Sequence, residues 1–561
     1  MLFDQGFDVS TGIYSTGMRN GMHILTNCRE IILKSWTRRK AKEWVNHLKS
    51  VASNSARDFT CPNPHNSYAP VRTSVQASWF VDGASYMSAV ADALEAATEE
   101  IYIADWWLSP EIYMKRPAID GDYWRLDNIL KRKANQGILV FILLYKEVEM
   151  ALGINSYYSK QRLVLTHENI KVFRHPDHAR AGVFFWAHHE KIIVVDQTYA
   201  FFGGIDLCYG RWDDYKHRLT DLGSVCTASA SIASKSCKES LSNIAIHVNG
   251  KNIGKNKATV TIAEPKDTVD SSKLPQLEPG DKLIIKMSKL TQNEGAEVIP
   301  ENFKQNTPEM ERRNMLGKLK DISVKGKTLM SRMTSSNDAV DSSTKNSPAH
   351  PDKAMFFGND ELKLGAKGGF VDPAPFQTDI LGDLDGQAKY WIGKDYVNFI
   401  LKDFTNLEAP YADLIDRSTT PRMPWHDIGA VVVGASARDI ARHFIQRWNA
   451  TKLEKARVNT TYPYLLPKSY VNIRVSEKVI SAPLKRVTCQ VLRSVSSWSC
   501  GFIEQDIVEQ SIHDAYIQTI NKAQHYIYIE NQFFISLEFG LQSVRNQVAD
   551  ALYRRIIRAH K

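Results

Sequence analysis

A histidine and a lysine two positions apart form the part of this sequence best suited to chemistry. They stand in the run HEKIIVVD, from His189 to Asp196, which follows the pattern H-x-K-x-x-x-x-D. Strand alternation predicts that His189 and Lys191 share one face, while the apolar residues 192–195 form buried core. The spacing alone also arises by chance, so a functional interpretation needs support from the surrounding sequence.

This pair of side chains suits the transfer of a phosphoryl group. An imidazole can attack phosphorus and form a covalent phosphohistidine, which divides one difficult displacement into two easier ones. A neighbouring ammonium can stabilise the non-bridging phosphate oxygens in place of a metal ion. A carboxylate on the second ring nitrogen would fix the tautomer of such a nucleophile.

The alternative interpretation is that His189 is a hydrogen-bonded core histidine and Lys191 a solvated lysine. Taken singly, each residue favours that alternative. The glycine turn at 203–204, the aspartate Asp206 and an internal repeat argue against it for the pair together.

The repeat consists of a helix that leads into an apolar strand. A predicted helix over 85–100 leads into the strand IYIAD, and a predicted helix over 506–523 leads into IYIENQFF. Each strand ends on carboxylate or amide groups, at the edge where open α/β sheets bind ligands. Asn531 and Gln532 are therefore candidates for shaping the site, and two similar α/β halves are predicted.

Further helices and strands alternate around these motifs and predict an α/β sheet that is covered on both faces. The remaining predicted helices cover residues 123–136, 395–401, 437–448 and 544–559. The predicted strands cover residues 101–105, 137–145, 170–174, 191–195, 428–433 and 527–534.

Together, these motifs resemble those of the phospholipase D superfamily. H-x-K-x-x-x-x-D followed by GGID and GRWD is similar to the first catalytic motif of that superfamily. IYIENQFF, the PWHD run at 424–427 and the YPYLLPK run at 462–468 are similar to motifs of the animal phosphatidylcholine-specific enzymes. The resemblance implies the phospholipase D fold, with two pseudo-symmetric mixed-sheet halves flanked by helices.

The resemblance also implies a reaction and residue roles. The reaction converts phosphatidylcholine and water into phosphatidic acid and choline, accepts short alcohols, and requires no metal or cofactor. His189 would be the nucleophile, and Lys191 would be the cation that binds the phosphate. Asp196 would be a mainly structural carboxylate, and Asp221 would orient the nucleophile. Three further residues would shape the substrate site: Asp206, Asn531 and Gln532.

A basic stretch near the helix predicted at 437–448 would, by the same resemblance, bind phosphatidylinositol 4,5-bisphosphate as an activator. Its members are Arg442, Arg447, Lys452, Lys455 and Arg457. The alternative is a solvated helix face and loop. Small GTPases and protein kinase C are further partners that the animal family implies, whereas nucleic acid is not expected.

Composition places the chain among globular proteins of a reducing, cytoplasmic compartment. Its 561 residues carry a formal charge of +9, which suits an anionic membrane or nucleic acid without choosing between them. The seven cysteines form no C-x-x-C pair and are odd in number, so they indicate neither a zinc site nor a disulfide framework. The longest apolar run, 138–145, is too short to cross a bilayer. Contact with the cytosolic face of a membrane would be peripheral.

Composition and pattern also predict the segments of the chain. Residues 1–55 have two strands at 23–27 and 29–35 and an amphipathic helix at 36–52, which resemble the C-terminal part of a pleckstrin homology domain. Other small domains also end on such a helix, and the resemblance to the animal phospholipases D favours the pleckstrin homology remnant. Residues 56–226 would form the first catalytic half, and 227–388 a low-complexity, disordered insertion. Residues 389–485 would continue the first half and contain the basic stretch. Residues 486–561 would form a truncated second half.

The sequence contains one H-x-K-x-x-x-x-D motif, whereas the family reaction joins two. The spacing from Ile101 to His189, applied from Ile527, would put a second histidine beyond Lys561. The chain is therefore interpreted as a fragment, expected to be inactive and to aggregate when expressed alone. The alternatives are a non-catalytic phosphoinositide- or effector-binding fragment, and a superfamily nuclease or other phosphodiesterase, which the animal-type motifs disfavour.

Overall fold

The computed structural model describes residues 2–118, 121–148, 154–178, 186–220, 390–397, 405–417, 419–476, 479–536 and 546–560. All of these residues belong to one compact unit. The predicted insertion, 227–388, and the candidate Asp221 lie outside the described residues. The predicted segment boundaries likewise stay predictions.

The regular elements are numbered in chain order. The strands are β1 (Asp8–Thr11), β2 (Gly21–Thr26), β3 (Arg29–Lys34), β4 (Val71–Val81), β5 (Glu100–Asp105), β6 (Leu139–Tyr145), β7 (Ile170–His175), β8 (Ile192–Val195), β9 (Tyr199–Gly203), β10 (Ile428–Val433), β11 (Lys485–Gln490), β12 (Ser494–Ser496) and β13 (Val508–Gln510). The helices are α1 (Ile13–Thr16), α2 (Arg38–Ser53), α3 (Arg57–Thr60), α4 (Gly83–Glu95), α5 (Leu126–Asn135), α6 (Ser156–Thr166), α7 (Ala435–Lys455), α8 (Ser497–Cys500), α9 (Ser511–Lys522) and α10 (Val548–His560). Within the described residues, no helix combines the length and apolar character that crossing a membrane requires.

A mixed sheet of eight strands forms the centre of the fold. Its order is β11-β4-β10-β9-β8-β5-β6-β7. The strands β5, β6 and β7 run parallel to one another, and the other neighbours pair antiparallel. The predicted α/β class with a mixed sheet is confirmed.

Helices cover both faces of this sheet, as strands that are apolar on both sides require. On one face, α4 and α5 pack against a core that includes Ile103. On the other face, α7 stacks the ring of Phe444 on Tyr102, with centroids 4.8 Å apart, and sets Trp448 against Phe141 at 5.1 Å. The sheet is therefore the buried middle layer of three.

Periodicity in the sequence located most of these elements. The strands predicted at 101–105, 170–174 and 428–433 appear as β5, β7 and β10, and the helix predicted at 437–448 lies within the longer α7. In the described part of the helix predicted at 395–401, the structure has a 3-10 turn, Gly393–Tyr396.

The strand predicted at 527–534 is wrong. These described residues form no strand, and the side chains of Tyr528 and Phe533 are 76% and 69% exposed. A strand depends on hydrogen bonds to a neighbouring strand, and among the described strands none pairs with this segment. The helix predicted at 506–523 forms over a shorter range, as α9, because residues Val508–Gln510 form strand β13 instead. The repeat therefore extends to the helix but not to a paired strand.

A smaller antiparallel sheet, β1-β2-β3, packs against α2 near the N-terminus. Ala41 and Val45 of α2 are buried against it. Helical periodicity places Trp36 and Trp44 on the same apolar face, and this prediction is wrong for both, since they are 98% and 53% exposed. Trp36 precedes the first helical residue, Arg38, and so lies outside the packed helix. The assignment of this part to a pleckstrin homology domain stays a prediction.

Replacing Trp448 by alanine is expected to lower the free energy of unfolding by about 3–5 kcal/mol, because its buried ring packs between Phe141 and Phe173. The matched control is Trp36→Ala, since that side chain is 98% exposed and a surface change should stay within about 0.5 kcal/mol. Urea unfolding followed by circular dichroism measures both variants. Equal losses would contradict the placement of Trp448 in the core.

Candidate active site

One edge of the main sheet collects the ends of five adjacent strands, from β4 to β5. Because neighbours in this part of the sheet are antiparallel, β4, β5 and β9 end at this edge, whereas β8 and β10 begin there. The register places Ala104 opposite Ile192, and Ile192 opposite Phe202. Polar residues at or near these strand ends therefore line the same edge of the sheet: Asp82, Asp105, His189, Lys191, Asp206, His426 and Asp427.

His189 and Lys191 lie just before the first residue of β8 but have different surroundings. His189 is exposed, and its ring centre lies 5.0 Å from that of Trp106. Lys191 is 3% exposed, and its ammonium donates a hydrogen bond of 3.2 Å to the backbone carbonyl of His189. The regular strand begins at Ile192, so the predicted alternation does not reach these two residues. A phosphate bound at the imidazole would nevertheless lie near the ammonium.

A buried carboxylate compensates the charge of Lys191. The Lys191 ammonium lies 3.0 Å from Oδ1 of Asp206, and both side chains are almost fully buried. The backbone N–H of Trp107 donates to the same carboxylate at 3.2 Å, and Nε of Arg211 lies 3.6 Å from its Oδ2. Asp206, which was predicted to shape the substrate site, therefore holds the ammonium of Lys191 in position.

A second buried carboxylate, Asp105, completes this charge arrangement. It accepts hydrogen bonds of 2.9 Å from the backbone N–H groups of Trp106 and Leu207. Burial, and then the negative charge of Asp206, raise the pKa of Asp105 well above its usual range. The raised pKa of Asp105 favours its protonated form beside the ion pair of Lys191 with Asp206.

The surroundings of His189 favour its neutral form. The ring is partly enclosed by protein, and this desolvation, followed by the charge of Lys191, lowers the pKa of His189 below its usual range. Arg211 acts in the same direction, whereas Asp206 opposes it. A neutral imidazole has a free electron pair, which is the form required of a nucleophile.

Asp196, the last residue of the motif, forms hydrogen bonds with backbone groups of a neighbouring segment. Its carboxylate accepts hydrogen bonds of 2.8–2.9 Å from the N–H groups of Thr98, Glu99 and Glu100, and one from the Thr98 hydroxyl. These bonds tie the turn after β8 to the start of β5. The contacts support the structural role predicted for this residue.

An open groove with a volume of about 1390 Å³ lies over the sheet edge. His189, Asp206 and Arg211 line it on one side, and the segment 526–533 lines it on the other. Asn531 and Gln532 belong to that segment, so the structure brings these two predicted residues to the groove. Both side chains are exposed. The predicted Asp221 lies outside the described residues.

Several residues at the groove or buried at the same sheet edge were not among the sequence candidates. Asp105, Trp106, Arg211 and Trp425 were missed, although Asp105 ends a predicted strand at the ligand-binding edge, which was a usable signal. The guanidinium of Arg211 lies over the ring of Trp425 at 3.7 Å. Since these two residues are far apart in sequence, their contact had no sequence signal.

The predicted basic stretch is not one exposed surface. Arg442, Arg447 and Lys452 are 7%, 2% and 4% exposed, and Lys455 pairs with Asp177 at 2.9 Å. Of the predicted members, Arg457 alone is classed as exposed. The long helix α7 is enclosed by the sheet and the N-terminal segment, so positions that are basic in sequence point into the protein.

Interior partners explain why these charges can be buried. Arg447 forms an ion pair with Glu190, which also accepts a hydrogen bond of 2.7 Å from His443. The ammonium of Lys452 donates to the backbone carbonyls of Ala456 and Asn459. Neutralising these residues together is therefore expected to disturb the fold as well as any surface charge.

Comparison with known proteins identifies the family. A sequence model described as Phospholipase D matches residues 93–251 and 398–555, which is more than half of the chain. The chain belongs to the phospholipase D family. The resemblance inferred from the H-x-K-x-x-x-x-D motif and its neighbours is thereby confirmed.

Curated phospholipases D match along the full chain. Phospholipase D1 of Rattus norvegicus is 41% identical over 100% of this chain and 50% of its own length. Phospholipase D2 of Bos taurus is 40% identical over 100% of this chain and 44% of its own. Phospholipase D zeta 2 of Arabidopsis thaliana is 27% identical over 97% and 44%. The chain thus spans about half the length of the curated relatives it matches.

Replacing Lys191 by methionine is expected to raise the pKa of His189. The lysine charge disfavours the imidazolium, and its removal also leaves the opposing charge of Asp206 uncompensated. NMR titration of histidine-labelled protein measures the shift, with Lys216→Met, at an exposed position, as the control. An unchanged or lowered pKa of His189 in the Lys191 variant would contradict the geometry described above.

Replacing Arg447 by alanine is expected to destabilise the phospholipase D fold by roughly 2–3 kcal/mol. This is below the cost of breaking a fully buried ion pair, because the side chain of Glu190 is 26% exposed. Arg457→Ala, at an exposed position, should change the free energy of unfolding by less than about 0.5 kcal/mol. Equal stability of the two variants in urea unfolding would show that Arg447 is solvated.

Proposed function

We propose that the protein carrying this chain is a phospholipase D that hydrolyses phosphatidylcholine to phosphatidic acid and choline. The observation that carries this proposal is the imidazole of His189, which is exposed to a groove, has a lowered pKa and lies next to the buried ammonium of Lys191. Family membership and the names of the relatives favour the same reaction.

In the first proposed step, a ring nitrogen of His189 attacks the phosphorus of the lipid. The bond from phosphorus to the choline oxygen breaks, the choline oxygen leaves with the electron pair and takes up a proton, and the phosphatidyl group becomes attached to His189. The ammonium of Lys191 stabilises the charge on the non-bridging oxygens. Asp206, 3.0 Å from that ammonium, holds it in position.

In the second proposed step, water attacks the same phosphorus atom. The group that protonated the choline oxygen takes a proton from this water. The phosphorus–nitrogen bond breaks, its electron pair returns to the imidazole, and phosphatidic acid is released. A short alcohol in place of water would give a phosphatidyl alcohol. Both proposed steps use protein groups, lipid and water alone, as the family resemblance implies.

The departing choline oxygen requires a proton, and the sequence contains one H-x-K-x-x-x-x-D motif. We propose that a second copy of the motif, on a further segment of the protein or on a second chain, faces the groove and supplies an acid imidazole. The groove beside His189, with a volume of about 1390 Å³, is open to such a partner. General acid catalysis typically contributes about 10²–10⁴-fold.

The proposed substrate is a membrane lipid, so we propose peripheral action at the cytosolic face of a membrane. Phosphatidylinositol 4,5-bisphosphate is the proposed activator, and small GTPases and protein kinase C are proposed regulators, all by family resemblance. Among the predicted basic residues, exposed Arg457 and partly exposed Lys455 are best placed for contact with a headgroup.

In the protein carrying this chain, His189→Asn is expected to abolish both choline release and the exchange of choline for a short alcohol, because asparagine cannot carry the phosphatidyl group. Lys191→Arg should also be severely impaired, since the broad guanidinium cannot replace a compact ammonium that fits against Asp206. Choline release from phosphatidylcholine vesicles measures both activities. A matched control is His47→Asn, an exposed histidine on α2.

Near-normal choline release from either site variant would remove that residue from the proposed mechanism. Competition between phosphatidylcholine and single-stranded DNA separates the proposed lipase from a nuclease of the same superfamily. A lipase should be unaffected by excess DNA. Hydrolysis of the DNA in preference to the lipid would overturn the proposed substrate class.

A further inference from the structure

A second group of ionisable side chains lies at the far end of the same sheet edge, outside the residues assigned to the phosphohistidine chemistry. Asp82 follows the last residue of β4 and is 2% exposed. Its backbone has a φ of +66°, in the left-handed region that aspartate adopts rarely, and its N–H donates to the carbonyl of Asp427 at 2.8 Å. The carboxylate is therefore held in a fixed, buried position.

Two imidazoles converge on this carboxylate from distant parts of the chain. Nε2 of His217 lies 2.9 Å from Oδ2 of Asp82, and Nδ1 of His426 lies 2.8 Å from Oδ1. The centres of the two rings are 5.4 Å apart. One nitrogen from each histidine and one carboxylate oxygen all lie within 4.8 Å of one another. Such a set of atoms can surround a single ion.

The charge balance at Asp82 favours a bound cation. A buried carboxylate is costly unless a positive charge or several donors compensate it. Among the described residues, the side-chain partners of Asp82 are these two histidines, and the remaining donor is the backbone N–H of Asp427, at 3.4 Å. No lysine or arginine in the described ranges forms an ion pair with it. Unless an imidazole is protonated, the negative charge has no counter-ion.

We propose that Asp82, His217 and His426 form a binding site for a divalent transition-metal ion of the Zn²⁺ type. Two imidazole nitrogens and one carboxylate oxygen are the donors that Zn²⁺ accepts, whereas Ca²⁺ and Mg²⁺ prefer oxygen alone. Three protein ligands leave a fourth position for water. The hydrogen-bonded separations of 2.8–2.9 Å must widen to about 3.4 Å around an ion with bonds of about 2.0–2.1 Å.

The other ring nitrogen of His426 has a carboxylate nearby. Its Nε2 lies 3.6 Å from Oε1 of Glu530. Ligating histidines commonly direct their second N–H to a carboxylate, which orients the ring. Glu530 belongs to the segment 526–533 that lines the groove, so this contact would join the ion site to the groove wall.

The position of the site indicates a structural role for the ion. It would connect the end of β4, the segment that contains His217, and the loop 421–427, which lines the groove through Trp425 and His426. The ion takes no part in the steps proposed for His189. Its binding is therefore independent of whether the proposed phospholipase reaction is correct.

Titration of the full 561-residue chain with Zn²⁺ tests this proposal. The chelator-treated protein should bind one Zn²⁺ ion in competition with a chromophoric indicator. Asp82→Asn and His217→Gln should each weaken that affinity by more than about 100-fold, since even loss of an outer partner costs about 10–100-fold. His47→Gln, at an exposed position on α2, is the matched control and should bind as the wild type does.

Replacement of Zn²⁺ by Co²⁺ reports on the ligands directly. The wild type should give the visible absorption of a low-coordinate Co²⁺ ion with nitrogen ligands, and His426→Gln should lose it. The side chain of His426 is 50% exposed, so this variant tests the site even if Asp82→Asn does not fold. Circular dichroism of the metal-free proteins checks their folding.

The proposal is overturned if the wild type binds Zn²⁺ no more tightly than the folded Asp82 or His426 variants. Asp82, His217 and His426 would then form a hydrogen-bonded network in which an imidazolium balances the carboxylate. An equal loss of affinity in His47→Gln would overturn it as well, since binding would then be distributed over surface histidines.

Discussion

The site depends on burying one ammonium at the edge of an apolar sheet. Transfer of a lysine charge into such surroundings is costly unless a carboxylate accompanies it. Asp206 provides that carboxylate at 3.0 Å, while burial and the charge of Asp206 raise the pKa of the neighbouring Asp105. This arrangement leaves a positive charge facing His189.

The sheet topology brings together the residues that this charge pairing requires. Because β8 lies between β5 and β9 and runs antiparallel to both, the start of β8 meets the ends of its two neighbours. Lys191, Asp105 and Asp206 come from these three places. The pairing of β10 and β4 continues the edge to His426 and Asp82. One sheet edge thus carries both the proposed nucleophile and the proposed metal site.

The sequence predicted those parts of the site that are local in the chain. The spacing of His189, Lys191 and Asp196 lies within one short run, and the apolar strands around it have clear periodicity. The contacts of Asp105 with Leu207, and of Asp82 with His217 and His426, join residues far apart in sequence. Such contacts depend on strand order, which periodicity does not reveal.

The errors have a similar physical origin. Arg442, Arg447 and Lys452 were interpreted as a surface because they are basic, yet interior partners such as Glu190 and backbone carbonyls compensate them. The strand predicted at 527–534 has suitable residues but no described neighbour with which to pair. Charge and β-propensity describe a residue, whereas burial and pairing depend on what the rest of the chain places beside it.

Trapping of the covalent intermediate tests the central claim most directly. The protein carrying this chain would be mixed with phosphatidylcholine labelled in its phosphate, quenched within one turnover, and digested for mass analysis. We predict a phosphatidyl group on His189 whose bond to the ring is stable in alkali and labile in acid, and which is absent from His189→Asn. Turnover of the lipid with no label on the protein, or with the label on another residue, would contradict the account.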